Sequence, residues 1–122
     1  PGIGCPVISS LSGTDMAVII TEPTQSGLHD LERVVELCRH FKVPAAIVLN
    51  KYDLNPDMSR EVESFCRQDG LPLLGRLPHS PKVVEAMLAG KSVSEHDPQG
   101  LGETLGQVWA QVMEITKKAR AA

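Results

Sequence analysis

Long apolar runs are missing from this chain of 122 residues. The longest, Ala17-Val18-Ile19-Ile20 and Ala45-Ala46-Ile47-Val48-Leu49, fall far short of the roughly 18 residues that a membrane span requires. Paired cysteines are missing too. Cys5, Cys38 and Cys66 are odd in number and no two stand in a CxxC spacing. That argues against a disulfide framework or zinc knuckle and for a reducing compartment. His29, His40, His79 and His96 share no ligand-like spacing, so no metal ligand is assigned. Basic clusters are absent. Twelve Lys and Arg against fifteen Asp and Glu leave a net charge of -3, a poor match to nonspecific nucleic-acid binding. No cationic and apolar leader precedes the first element, which gives the expectation of a cytoplasmic protein. The opening Pro-Gly, without an initiator Met, gives the expectation of a portion of a longer protein.

What is present reads as one folded domain over residues 1–122. The chain is 42% hydrophobic and 22% charged, a balance that excludes disorder and low-complexity or collagen-like sequence. Met16–Thr21 and Ala45–Asn50 are continuous apolar, β-branched runs, and Leu73–Leu77 is a weaker third, interrupted by Gly75. Uninterrupted apolar character suits strands covered on both faces, as in a parallel sheet. The strands start about 28 residues apart, the length of one βα unit.

Helical patterns fill the intervals. Leu28, Leu31, Val34, Val35, Cys38 and Phe41 form one apolar stripe between the first two strands, which makes Cys38 a core residue. A second helix runs from about Asp57 to Gln68, with Asn55 as N-cap, Pro56 in the first turn, Gly70 as stop, and Val62, Phe65 and Cys66 facing inward. A short third begins at Ser80-Pro81 and stops near Gly90. Residues 91–100, polar and containing Pro98, read as a connecting loop. Residues 101–120 read as a C-terminal helix packed on the sheet, with Lys117, Lys118 and Arg120 placed where the macrodipole favours cations. Glu103 and Glu114 and a polar face that is not especially basic argue against a membrane-surface helix. The expected fold class is therefore α/β, a three-layer, mostly parallel sheet of βα units.

The most informative tetrapeptide, Asn50-Lys51-Tyr52-Asp53, stands at the C-terminal end of the second strand, where open α/β sheets bind ligands. A carboxamide such as that of Asn50 both donates and accepts, which matches the edge of adenine or guanine. The Lys51 stem can lie along a base, and Asp53 can accept the N1 and N2 protons of guanine. Asn-Lys-x-Asp is the base-recognition signature of GTPases. A Ser-Ala-Lys-like loop after the next strand would complete it, but Leu77-Pro78-His79-Ser80-Pro81 stands there instead, a turn whose main chain can cradle a flat base. Gly2 and Gly4, in Pro1-Gly2-Ile3-Gly4, permit close approach to a phosphate. No G-x-x-x-x-G-K-S/T loop occurs anywhere. No catalytic residue is assigned.

Taken in order, Pro1-Gly2-Ile3-Gly4-Cys5-Pro6-Val7, Thr21-Glu22-Pro23-Thr24, Ser26-Gly27-Leu28-His29-Asp30-Leu31-Glu32-Arg33, Asn50-Lys51-Tyr52-Asp53-Leu54-Asn55 and Gly90-Lys91-Ser92-Val93 resemble the C-terminal half of a MinD/ParA-type P-loop ATPase with a deviant Walker A lysine. The resemblance is to the branch with an inserted ferredoxin domain. It implies that Gly2 to Cys5 lie in the switch II region near the γ-phosphate. It also implies that Asn50 contacts adenine and that Leu77, Pro78 and His79 form the loop closing over the base. ATP and Mg²⁺ would be the cofactors of the full-length protein, with an iron–sulfur cluster in the protein but none in this chain. The Walker A loop, the switch I Asp, the Mg²⁺-holding Asp and the ferredoxin insertion are absent from the chain. By itself it is therefore expected not to turn over ATP. The implied partners are nucleotide, the N-terminal half of the same protein and a second copy in a homo-oligomer, with no nucleic acid. Two other readings stand beside this one, a GTPase fragment using Asn50, Lys51 and Asp53 for guanine, and a non-enzymatic interaction or scaffold module.

Overall fold

The β-branched runs do form strands. In the computed structural model, which describes residues 4–121, β1 (Ala17–Thr21), β2 (Ala45–Asn50) and β3 (Leu73–Leu77) make a three-stranded parallel sheet in the order β1-β2-β3. Ala17 pairs with Ala45 and Thr21 with Leu49. Asn50 pairs with Leu77, beyond a register shift at Ile47/Val48. Helices cover both faces, which is the expected α/β, three-layer arrangement.

Each helix begins and ends for a local reason. α1 (Cys5–Leu11) is capped by Gly4 and tolerates Pro6 in its first turn, where the missing N–H costs nothing. α2 (Gln25–His40) starts at Thr24, whose Oγ1 accepts the Gly27 N–H at 2.9 Å. α3 (Pro56–Gln68) starts at Asn55, whose Oδ1 accepts the Met58 N–H at 3.2 Å. α3 ends at Gly70, with φ of 66°, and Leu71 donates back to the Cys66 carbonyl at 2.8 Å. α4 (Lys82–Leu88) and the long α6 (Leu101–Ala121) follow.

Residues 91–100 correct the expectation of a loop. Val93–His96 closes one helical turn, α5, because Ser92 Oγ accepts the Glu95 N–H at 3.1 Å while Glu95 Oε1 accepts the Ser92 N–H at 3.2 Å. Those reciprocal bonds satisfy free ends that a polar composition alone does not reveal. Asp97 Oδ2 then accepts the Leu101 N–H at 2.9 Å and starts α6.

The core has two halves. Leu31 and Val35 of α2, Val62 and Cys66 of α3, and Ile47 and Leu49 of β2 form a fully buried cluster on one face. On the other, Ala46 and Val48 of β2, Leu74 of β3 and Val108 of α6 pack together, with Val112 and Ile115 against them. Ala46 through Leu49 are all buried, which explains the continuous apolar run of the central strand. Gly75 belongs to the second face, where a Cβ would come within 2.8 Å of Val108 Cγ2. α6 thus seats tightly over β3, and the interruption in that strand is the space it needs.

Candidate nucleotide-base site

Parallel strands point their C-terminal ends the same way, so the segments after β1, β2 and β3 meet at one edge of the sheet. Asn50 ends β2 beside Leu77, which ends β3. Asn50 Oδ1 accepts the N–H of Lys51 at 3.0 Å, which leaves both N–H donors of the carboxamide and one lone pair of its oxygen. Its NH2 is suited to a ring nitrogen or carbonyl of a base.

Lys51 occupies the left-handed region, with φ of 54°, and turns the chain sharply out of β2 into the 3-10 turn Tyr52–Leu54. Its ammonium reaches Glu22, just past β1, at 3.1 Å. Asp53 reaches the other way, and its Oδ1 accepts the main-chain N–H of His79 at 2.8 Å. Buried Ser59 of α3 donates its hydroxyl to the Tyr52 carbonyl at 2.7 Å, fixing the turn from beneath.

Five of the sequence-picked residues, Asn50, Lys51, Asp53, Leu77 and His79, are therefore joined by register or hydrogen bond, and Pro78 lies between the last two. Gly4 is not brought to them. It caps α1, whose Val7 lines grooves along β1 with Ile19, Ile20 and Val34. Gly2 lies outside the described residues. Sequence reasoning missed Glu22, Tyr52 and Ser59. Its place just past β1 is the one signal that could have found Glu22, whereas the Ser59–Tyr52 bond depends on how α3 seats under the turn.

A cleft of ≈ 660 Å³ adjoins the cluster, with Tyr52, Asp53, Ser59, Arg76, Thr104 and Gln107 on its walls. Arg76 is ion-paired with Glu63 there, and that carboxylate holds its guanidinium even further above the ordinary range. Among the described residues no group of three His, Cys, Asp or Glu side chains stands together as a metal site. Cys38 and Cys66 are buried in the core. Burial pushes both thiols up, with Glu63 and Asp69 adding to the effect at Cys66, so neither is a ready nucleophile.

No protein-family model matches the chain. In sequence it is similar to an uncharacterized protein of Methanocaldococcus jannaschii, 44% identical over 55 residues, covering 45% of this chain and 20% of that protein. It is also similar to a cytosolic Fe-S cluster assembly factor, the Nubp1 homolog of Drosophila grimshawi, 28% identical over 90 residues, covering 64% of this chain and 29% of that one. An uncharacterized ATP-binding protein of M. jannaschii is 27% identical over 79 residues, covering 62% of this chain and 30% of its own. The chain thus spans less than a third of the length of these curated relatives. In fold it is similar to a ParA family ATPase from Chlorobium tepidum TLS, with a TM-score of 0.58 and 23% identity, covering 97% of this chain and 46% of that one. The three-stranded sheet and its helices therefore match a fragment of the ParA-like P-loop NTPase fold.

Proposed function

We propose that this chain is the base-binding part of a MinD/ParA-type P-loop ATPase. The observation that carries the reading is the joining of the Asn50–Asp53 turn to the Leu77–His79 loop at the C-terminal ends of adjacent parallel strands. The Asn50 NH2 donates to the adenine ring, the Pro78-His79 main chain closes over the base, and Lys51 flanks it. Likeness to an ATP-binding protein and to the ParA fold supports ATP as the nucleotide. Mg²⁺ and the phosphate grip belong to the N-terminal half of the same protein, with Gly2 and Gly4 as the switch II remnant near the γ-phosphate. The chain alone is accordingly inactive.

The sheet itself supports a missing half. Ile19 packs toward α2 and α3, so Val18 and Ile20 point to the α6 face, where they are 39% and 65% exposed. On α6, Trp109 and Met113 are exposed and share a helical stripe with Arg120, which reaches Asp15 just before β1 at 2.7 Å. These apolar groups therefore flank β1 on one uncovered side, where further strands and a helix complete the sheet. The isolated chain self-associates through this surface. Homo-oligomerisation around ATP is assigned to the full-length protein.

Similarity to a cytosolic Fe-S cluster assembly factor supports an iron–sulfur connection and a cytoplasmic location, while the ferredoxin-inserted branch rests on the sequence resemblance alone. Among the described residues no helix is long and apolar enough to cross a membrane.

The test is ATP and GTP affinity of the full-length protein, measured by calorimetry, for wild type and Asn50→Ala. Removing one or two neutral hydrogen bonds at about 0.5–1.5 kcal/mol each predicts about three- to tenfold weaker ATP binding. Equal ATP affinity in the two proteins, or tighter binding of GTP than of ATP by wild type, contradicts the assignment.

A further inference from the structure

An Asp in the last position of Asn-Lys-x-Asp has about four acceptor positions on its two carboxylate oxygens. In this protein one of them is engaged. Asp53 Oδ1 accepts the His79 N–H at 2.8 Å across 26 residues of sequence. The neighbouring Lys51 is tied to Glu22 and the Tyr52 carbonyl to Ser59. The turn after β2 is therefore laced to the strand on either side of it and to the helix below.

We infer that Asp53 is a positioning residue that clasps the Pro78-His79 loop to the Asn50–Asp53 turn and so sets the loop over the place of the base. The inference rests on the base-site reading above. Adenine presents an acceptor at N1, gains nothing from a carboxylate there, and leaves the clasp closed. The clasp holds the loop in its closing position before the base arrives, so less order must be imposed on binding.

The flanking prolines make the clasp measurable. Because Pro78 and Pro81 carry no N–H, the segment Leu77–Pro81 has main-chain amides only at Leu77, His79 and Ser80. Hydrogen exchange on that peptide in the full-length protein reports at most three amides, and the bond from His79 to Asp53 is the one that Asp53→Ala removes. That substitution should accelerate exchange at His79 about tenfold and weaken ATP binding about three- to tenfold. Asp53→Asn keeps an acceptor oxygen at the same place and should restore both quantities to within about twofold of wild type. Unchanged exchange at His79 in Asp53→Ala overturns the clasp. Unchanged ATP affinity in Asp53→Ala alongside accelerated His79 exchange also overturns it, because the clasp then positions nothing for the base. If wild type binds neither ATP nor GTP the base-site reading fails, and the His79 exchange still decides whether the clasp exists.

Discussion

The two faces of the sheet are built to different degrees. Under α2 and α3, Leu31, Val35, Ile47, Leu49, Val62 and Cys66 are sealed from solvent. On the α6 face the packing is tight over β2 and β3, where Gly75 and Val108 meet, but it stops short of β1, leaving Val18 and Ile20 in solvent. The closed face is self-sufficient. It fixes the strand ends and with them the geometry of Asn50, Lys51 and Asp53. On the proposed function, the open side of β1 is where the remaining half of the domain would add, and base recognition and phosphate grip would be divided between the two sides of one sheet.

The largest expected effect breaks the closed face. Ile47 is fully buried at the centre of the sheet, so Ile47→Ala should lower stability by about 2–5 kcal/mol through lost burial and the cavity left behind. Urea unfolding at an unchanged m-value is the measurement. A loss below about 1 kcal/mol would mean that this face is less well packed than its burial indicates.

A much smaller effect sharpens the contrast. Ile20 is the same residue type on the neighbouring strand but 65% exposed, so Ile20→Ser should change the stability of this chain by no more than about 0.5 kcal/mol. It should also reduce self-association in sedimentation. In the full-length protein the same substitution should cost about 1–3 kcal/mol, because the side chain is then covered. An equal, negligible cost in both proteins would show that nothing covers β1.

Much of this architecture was legible in the residues. The runs at 45–50 and 73–77 are strands at the positions read from their composition, and the first strand differs only in that Met16 precedes it. The α2 stripe predicts the burial of Leu31, Val35 and Cys38, since a 3.6-residue period carries that information locally. α1 was not assigned, because Gly4 was read only as a point of close approach to a phosphate, whereas it stands at the N-cap and Pro6 fits the first turn. α5 was hidden in a polar stretch, since a capping box satisfies backbone groups without apolar patterning. At the candidate site, strand-end placement identified Asn50 through Asp53 and the Leu77–His79 loop. The partners of Lys51 and Asp53 were not legible. Glu22 and His79 reach them only through the parallel register of three strands, and residue spacing along one chain does not encode that.

The most direct test of the central claim, that these strand ends hold the nucleotide base, is photolabelling of the full-length protein with 8-azido-ATP followed by peptide mapping. Label that ATP competes away should fall on the peptides carrying Asn50–Asp53 or Leu77–His79. Label confined to other peptides, with these two left unmodified, would contradict the claim.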